Sequence, residues 1–185
     1  ICADTIVYDT YAIQVDPLPV AIAGGSDTIC ENSTHVVANA SSANGTIMWT
    51  HDGNGTLSGE TTVAPTYAAV TADAGQTVTL TMTVTSNNTC TPQTATATYT
   101  IVVDQLPEAI AGGSDIICSE SSATVVGASS ARGTIMWTHN GNGSLADETT
   151  LTPTYTADAS DAGTTVTLTM TVTSTNVCGP QTATA

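Results

Sequence analysis

The stretch Thr77-Val-Thr-Leu-Thr-Met-Thr-Val-Thr-Ser86 alternates threonine with an apolar residue without interruption. Successive side chains of a strand point to opposite faces of a sheet, so this period of two places the four apolar side chains on one buried face. The same ten letters return at residues 165–174. The stretch therefore predicts a half-buried strand that occurs twice, and it indicates an all-β protein.

The region from residue 23 onward is a tandem repeat with a constant offset of 88 residues. Ala23-Gly-Gly-Ser-Asp27 returns as residues 111–115, and Cys30 aligns with Cys118. A fixed period of this size is typical of tandem copies of one small domain. The repeat therefore restricts the plausible functions to those that an array of small domains can perform.

The same offset predicts the domain organisation. Cys2 lies as far before Asp16 as Cys90 lies before Asp104, so residues 1–16 read as the last strand of a truncated upstream module. Ala185 aligns with the middle of the last strand of the preceding copy, so we expect that strand to be truncated as well. We predict a first repeat at residues 17–104 and a second repeat at residues 105–185, as part of a longer array.

The charge balance excludes several classes of function. The chain has 16 acidic residues, one basic residue (Arg132) and no lysine, for a formal net charge of −15. Binding to nucleic acid or to an anionic membrane requires basic side chains, so both are excluded. Only 9% of the residues are charged and roughly a fifth are threonine, which is typical of strands rather than of an acidic disordered tail.

Each repeat reads as short strands separated by turn signals, with no amphipathic helix. The linker Asp104-Gln-Leu-Pro107 contains a proline that stiffens the joint between the repeats. The turn at residues 52–55 combines Asp-Gly with Asn-Gly, dipeptides that tolerate positive φ. About seven short strands around one tryptophan predict a β-sandwich. In the first repeat the predicted strands are 20–30 (kinked at Gly24-Gly25), 34–40, 46–51, 56–58, 66–70, 77–85 and 93–103.

Several motifs occur in the same order in both repeats. They are Pro-x-Ala-x-Ala-Gly-Gly-Ser-Asp-x-Ile-Cys, the Trp-Thr strand, Gly-Asn-Gly, Pro-Thr-Tyr, Asp-Ala-Gly, the alternating threonine strand and a late cysteine. Together they resemble the PKD-like, immunoglobulin-like repeats of very large secreted surface proteins of Bacteroidota, including gliding-motility and other adhesins. The resemblance implies tandem Ig-like β-sandwiches. The chain departs from the usual Ig Cys-Trp-Cys core, because Cys30 precedes the second strand.

The resemblance also implies a function. It predicts an extracellular, cell-surface array that acts as a stiff stalk or as a multivalent adhesin fibre, without catalysis. Expected partners are neighbouring repeats, copies of the chain itself, or a surface glycan or protein ligand. An alternative is a carbohydrate-binding accessory module of a secreted hydrolase. Sugar binding uses exposed aromatic side chains, and the chain has only two Trp, five Tyr and no Phe.

The cysteines allow two disulfide patterns, and both remain open at the level of sequence. One pattern is a bridge within each repeat, Cys30–Cys90 and Cys118–Cys178. The other is a staple across the joint, Cys30–Cys178, because an Ig-like sandwich places Cys30 and Cys90 at opposite poles, too far apart for a bridge. In both patterns Cys2 has no partner in this chain, and in the staple pattern Cys90 and Cys118 also have their partners outside it. A third alternative is that the cysteines are free thiols. Either pattern indicates an oxidising location.

Further candidate sites are expected at the surface. Asp16, Asp27, Asp104 and Asp115 lie near the predicted joints, where acidic clusters can bind Ca²⁺. Thr5 and Thr28 follow aspartate and precede isoleucine, which resembles an O-glycosylation motif of Bacteroidota.

Two other features carry structural expectations. His51 and His139 follow the core Trp by two residues, which predicts structural, hydrogen-bonded histidines rather than a catalytic base. An unpaired strand edge exposes backbone N–H and C=O groups that can pair with another strand. Residues 3–15 are therefore predicted to pair with a neighbouring chain or to lie against the first repeat.

Overall fold

A computed structural model describes residues 6–179 and 182–185, and most of its regular structure is β-strand. Within the described residues, no helix has the length and apolar character needed to cross a membrane. The first repeat contains β1 (Val20–Ile22), β2 (Ser26–Cys30), β3 (Thr34–Val36), β4 (Ser41–Ala43), β5 (Gly45–His51), β6 (Thr56–Ser58), β7 (Thr66–Ala68), a 3₁₀ turn (Thr71–Asp73), β8 (Thr77–Ser86) and β9 (Thr94–Asp104). The second repeat contains β10 (Glu108–Ile110), β11 (Ser122–Thr124), β12 (Ser129–Ala131), β13 (Gly133–His139), β14 (Ser144–Ala146), β15 (Thr154–Thr156), a 3₁₀ turn (Ala159–Asp161), β16 (Leu168–Ser174) and β17 (Thr182–Thr184).

Each repeat forms a sandwich, as the sequence predicts. In the first repeat, a four-stranded sheet in the order β2-β9-β8-β5 packs on a three-stranded sheet in the order β3-β7-β6. The second repeat forms the sheets β13-β16-β17 and β11-β15-β14. A separate two-stranded sheet completes each sandwich: β1 pairs with β4 in the first repeat, and β10 pairs with β12 in the second. The fold is all-β.

The alternating strand β8 lies at the centre of the first repeat. Its four apolar side chains, Val78, Leu80, Met82 and Val84, are fully buried, while its intervening threonines are not. The prediction of one buried apolar face is confirmed. The tryptophan prediction is also confirmed, because Trp49 is buried and its indole N–H donates to the backbone oxygen of Thr62 at 2.9 Å.

The predicted kink at Gly24-Gly25 divides the first strand between two sheets. Both glycines have positive φ values, 99° and 134°. Upstream of them β1 pairs with β4, and downstream β2 pairs in parallel with β9. A Cβ on Gly24 would lie 2.2 Å from the oxygen of Ala38, so this position requires glycine for space as well as for φ.

The loop at residues 52–55 is a turn, but the reason expected for its glycines is wrong. Neither Gly53 nor Gly55 has positive φ. Instead, a Cβ on Gly53 would lie 2.1 Å from the hydroxyl oxygen of Tyr67, and one on Gly55 would lie 2.1 Å from the oxygen of Ala68. The glycines are needed because the loop backbone packs directly against strand β7.

The segment before the first repeat has no strand partner in the described chain. Residues 6–16 form no strand, although the repeat offset aligns them with β9. Their apolar side chains, including Tyr11, Ile13 and Val15, are exposed, so residues 6–15 do not lie against the first repeat. A β-strand needs a neighbouring strand for its backbone hydrogen bonds, and this segment has none within the described chain.

Candidate functional site: the joint between the repeats

A disulfide crosses the joint between the two repeats. It joins Cys30, at the end of β2, to Cys178, in the turn after β16, with a Cα–Cα distance of 4.8 Å. This is the staple of the two patterns that the sequence left open, and the intramodule bridge from Cys30 to Cys90 is not formed. Cys90 and Cys118 are free thiols. Cys2 lies outside the described residues.

Strand register explains why Cys30 reaches the joint. In the parallel ladder of β2 and β9, Cys30 lies opposite Asp104, the last residue of β9. The linker leaves the first repeat at this point. The loop that carries Cys178 folds back onto the same residue, so that the Cys178 sulfur lies 3.6 Å from the carbonyl oxygen of Asp104. The two sulfurs therefore meet beside the linker rather than within either sandwich.

The first repeat also holds the linker by hydrogen bonds from Glu31 to the linker backbone. The amide of Glu31 donates to the oxygen of Asp104 at 2.8 Å. The carboxylate of Glu31 in turn accepts from the amide of Leu106 at 2.8 Å. One residue thus fixes the linker on both sides of Gln105.

The second repeat contacts the linker with two side chains. The Asn176 amide group donates to the oxygen of Gln105 at 3.0 Å, and the Arg132 guanidinium donates to the oxygen of Leu106 at 2.5 Å. Arg132 also forms an ion pair with Glu108 at 3.3 Å. The single basic residue of the chain therefore lies at the joint, where it binds the backbone that enters its own repeat.

The first repeat clamps the segment that precedes it in the same way. Asn88, the counterpart of Asn176, donates to the oxygen of Pro17 at 2.9 Å. Asn44, the counterpart of Arg132, donates to the oxygen of Leu18 at 2.9 Å. The Cys90 sulfur lies 3.4 Å from the oxygen of Asp16. Both repeats therefore present the same docking surface to the chain that enters them.

The four aspartates proposed for calcium are dispersed among other contacts. Asp16 accepts from the hydroxyl of Thr89 at 2.6 Å, and this hydrogen bond lowers the pKa of Asp16. Asp27 lies 3.1 Å from the Nδ1 atom of His35. Asp115 accepts from the following backbone amide, and the backbone oxygen of Asp104 accepts from Glu31. No group of three metal-ligating side chains occurs among the described residues, and calcium binding stays a prediction.

The glycosylation candidates are untested. Thr28 lies on β2 with an exposed side chain. Thr5 lies outside the described residues. Modification at either residue stays a prediction.

The aspartate of the shared Asp-Ala-Gly motif is a buried carboxylate that organises each sandwich. Asp73 has no exposed surface, and it accepts hydrogen bonds from the Tyr67 hydroxyl at 2.8 Å and from the amides of Asn54 at 2.7 Å and Val70 at 3.1 Å. The Tyr67 hydroxyl also accepts from the amide of Gly55 at 2.9 Å. The signal was present in the sequence, since both repeats place a tyrosine six residues before this aspartate.

The hydrogen bonds keep this carboxylate charged. Burial by itself would raise the pKa of Asp73, but the bonds from Asn54, Tyr67 and Val70 outweigh it and the pKa is lowered. Burial and the neighbouring carboxylate raise the pKa of Tyr67 to about 12. In the second repeat, the Tyr155 hydroxyl and the Asn142 amide lower the pKa of Asp161 from 3.8 to about 2.

The stability of the second repeat is expected to depend on the charge of Asp161. A carboxyl whose pKa is lower in the folded state stabilises the fold above its unfolded pKa and loses that effect as the pH falls through its folded pKa. The melting temperature of the wild type should therefore exceed that of Asp161→Asn at pH 5, and the difference should shrink as the pH falls from 4 to 2. Scanning calorimetry of both proteins measures it, and a constant difference would contradict the assignment.

The histidine prediction is wrong in one respect. The buried Nδ1 atoms of His51 and His139 have no hydrogen-bond partner among the residues that the structure describes. Each ring instead packs edge-on against a tyrosine, with a centroid distance of 5.2 Å between His51 and Tyr67. The ring of His139 packs against Tyr155 in the same way, with a centroid distance of 5.0 Å.

Comparisons with known proteins show the fold. No protein-family model matches the chain, and no curated protein matches it. The chain is similar to the N-terminal eight Ig domains of Down Syndrome Cell Adhesion Molecule (DSCAM) isoform 1.30.30, with a TM-score of 0.56 and 18% identity over 91% of this chain. It spans 27% of the length of that structure.

Two further solved structures are less similar. They are extracellular domains 3–5 of Drosophila OTK (TM-score 0.44, 11% identity, covering 90% of this chain and 60% of that one) and domains EC1–3 of mouse protocadherin-24 (TM-score 0.45, 13% identity, covering 91% of this chain and 68% of that one). The sandwich topology and the likeness to the DSCAM domains agree. The chain consists of β-sandwiches with an Ig-like fold.

Proposed function

We propose that the chain is a structural part of an extracellular repeat protein, in which stapled Ig-like sandwiches form a stiff stalk. The observation that carries this proposal is the bridge from Cys30 to Cys178, which crosses a joint rather than a core. A bridge within one sandwich would stabilise that sandwich alone. A bridge between two sandwiches restricts their relative orientation, which is the property that a stalk requires.

The surroundings of the bridge support the same role. Glu31 holds the linker from one side, and Asn176 and Arg132 hold it from the other. Disulfides persist in oxidising compartments, which supports an extracellular location. The net charge of −15 keeps such arrays soluble and mutually repelling. The motifs shared with Bacteroidota surface repeats support a place on a bacterial cell surface, of the gliding-motility or adhesin type.

The alternative role, a carbohydrate-binding module, has less support. Both tryptophans are buried and donate to backbone oxygens, so neither offers a stacking face to a sugar. The exposed aromatic residues of the described chain, Tyr8 and Tyr11, lie in the segment before the first repeat. The chemistry of the two sandwiches therefore favours a structural role over sugar recognition.

A glycan array distinguishes a stalk from an adhesive repeat. Residues 17–185, oxidised and fluorescently labelled, are expected to give no saturable binding, because the sandwiches carry no exposed aromatic platform. A lectin of known specificity on the same array is the control. Specific, saturable binding that is lost on substitution in the loops at residues 52–56 or 140–144 would overturn the spacer role and make each repeat an adhesive unit.

A further inference from the structure

One face of the first repeat is a regular array of threonine side chains. Strands β8 and β9 place threonine opposite threonine in four successive rows, which are Thr79–Thr100, Thr81–Thr98, Thr83–Thr96 and Thr85–Thr94. Strand β5 extends the second and fourth rows with Thr50 and Thr46, and the third row with Met48. These side chains point away from the core, because the apolar residues between them on β8 are the buried ones. The alternation of one strand thus becomes a face of three strands.

The strand register gives these rows one common spacing. Opposite residues of an antiparallel ladder alternate between hydrogen-bonded pairs and closer, non-hydrogen-bonded pairs. At the two ends of the β8–β9 ladder, the Ser86 amide donates to the oxygen of Gln93, and the Val103 amide donates to that of Gln76. The threonine rows lie an odd number of residues from these hydrogen-bonded pairs, so every row is a non-hydrogen-bonded pair with Cα atoms about 4.5 Å apart. Successive rows are about 6.7 Å apart along the strands, and the hydroxyls therefore form a lattice.

The hydroxyls of this array are free to bind a ligand. Among residues 6–179 and 182–185, the threonine hydroxyls of the four rows have no hydrogen-bond partner in the protein, and Thr79 contacts the Asp52 carboxylate through its backbone amide at 2.7 Å. On the other sheet of the second repeat, by contrast, the hydroxyls of Ser122 and Thr156 bond each other at 2.8 Å. The hydrogen-bonding capacity of the array is therefore unused within the folded chain.

The middle of the array is uncharged, although the chain is strongly acidic. The formal net charge is −15, yet Asp104, at the end of β9, is the only acidic residue within β5, β8 and β9. Asp52 follows the end of β5. The carboxylates thus lie at the ends of these strands, and the face between them consists of hydroxyl and methyl groups with one thioether. A ligand of this face is therefore a neutral one.

Two neutral occupants fit the face poorly. A sugar stacks on an aromatic side chain, and the rows contain none. A second copy of the chain needs area, and three strands with four rows cover about 14 Å by 27 Å, or roughly 400 Å². A stable protein interface buries about 800 Å² on each partner. The face is therefore too small for a second copy and has no platform for a sugar ring.

We infer that this face binds ice. Each threonine hydroxyl can donate one hydrogen bond and accept others, so neighbouring hydroxyls of a row can hold a shared water molecule. The repeat of about 4.5 Å across the strands and about 6.7 Å along them is close to the repeat of oxygen atoms on a prism face of ice. Threonine is stiff at χ1, so the hydroxyls are held at this spacing before they meet the crystal. The methyl groups between them make no competing hydrogen bonds.

The second repeat carries the same pattern where the structure describes it. Thr171 lies opposite Thr184 and Thr173 lies opposite Thr182, and β13 extends these rows with Met136 and Thr134. Neighbouring strands of a sheet are rotated by about 20–25°, so one face matches a flat crystal over a few rows only. Tandem repeats multiply this weak contact, because an array that carries several such faces binds with avidity.

Partition between ice and liquid tests this inference. The oxidised whole chain is cooled in a stirred solution until part of it has frozen as a slowly growing shell, and the protein in each fraction is measured by absorbance. Growing ice excludes solutes that do not bind it, so serum albumin, the control, is expected in the liquid. The wild type is expected in the ice, and it should also inhibit ice recrystallisation. A wild type that is excluded together with albumin would overturn the inference.

Two matched pairs of substitutions locate the contact. Thr81→Tyr/Thr169→Tyr places a large side chain in the middle of each face, which holds the neighbouring rows away from a flat surface. The ratio of protein in ice to protein in liquid should fall about tenfold or more. Thr61→Tyr/Thr149→Tyr adds the same side chains to exposed turns outside the faces, and it should change this ratio less than about twofold. Equal ratios for the two pairs would contradict the proposed face.

A further pair of substitutions guards against loss of folding, and a second measurement detects a different occupant. Thr96→Tyr/Thr184→Tyr changes exposed positions of the same rows, so it replaces the first pair if circular dichroism shows that the first pair does not fold. In sedimentation velocity, a wild-type dimer that Thr81→Tyr/Thr169→Tyr abolishes would assign the face to a second copy and overturn the inference. The stalk role rests on the disulfide and does not depend on either outcome.

Discussion

Asp73→Ala is expected to unfold the first repeat at temperatures where the second repeat remains folded. The substitution leaves the Tyr67 hydroxyl and the amides of Asn54 and Val70 without their acceptor inside the sandwich. A hydrogen bond to a charged group contributes about 1.5–3 kcal/mol. Losing the shared acceptor of three donors is therefore expected to lower the free energy of unfolding by roughly 3 kcal/mol or more. A repeat of this size has little stability to spare.

Differential scanning calorimetry of the oxidised chain measures this effect, because the two repeats offer matched positions. Asp73→Ala should lower one transition, and Asp161→Ala should lower the other by a similar amount. Asp73→Asn is the conservative control, since its amide oxygen still accepts from part of the network and its volume is unchanged. If Asp73→Ala shifts its transition no more than Asp73→Asn does, the carboxylate network is not what holds the loop and the 3₁₀ turn together.

Opening the staple is expected to free the orientation of the repeats while each sandwich stays folded. In the double variant Cys30→Ser/Cys178→Ser, the joint keeps the linker and the hydrogen bonds that Glu31 and Asn176 make to its backbone. A single hydrogen bond contributes about 1 kcal/mol net, so these contacts are too weak to hold two domains in one orientation. The disulfide closes a segment of 148 residues, for which chain entropy predicts about 5 kcal/mol against the state with both repeats unfolded.

Small-angle X-ray scattering distinguishes the two joints. The wild type should fit a single extended shape, and the double variant should require an ensemble with a broader distribution of sizes. The control is Cys90→Ser/Cys118→Ser, which removes two sulfurs but keeps the staple. Identical scattering from stapled and open chains would mean that the linker contacts alone set the orientation, and the stalk proposal would then lose its main support.

Local periodicity was sufficient to predict much of the fold. The strict alternation of Val78, Leu80, Met82 and Val84 specifies one buried face whatever the neighbours of the strand are, and Trp49 is large and apolar enough to require a core position. The kink at Gly24-Gly25 was also predictable, because two consecutive glycines interrupt a strand. These features depend on residues close together in the sequence, where the physical constraint is short-ranged.

The structural roles of the loop glycines and of the buried aspartate could not be predicted from the sequence. Gly53 and Gly55 suggested positive φ, but their role depends on the position of Tyr67, which lies on another strand. Asp73 belongs to the shared Asp-Ala-Gly motif, and its burial becomes visible only when the 3₁₀ turn that contains it packs over the loop at residues 52–55. In both cases the relevant partner is distant in sequence, so no local pattern carries the information.

The all-β class, the 88-residue repeat and the apolar face of each central strand follow from period and offset, which can be read without knowledge of any contact. The cysteine pairing depends on the folded chain, since Cys30 and Cys178 are 148 residues apart and meet through the register of β2 and β9. The tertiary structure also decided that residues 6–16 form no strand in the single chain. A strand forms only beside a neighbouring strand. The 88-residue offset identifies a strand sequence, but it does not show whether a neighbouring strand is present.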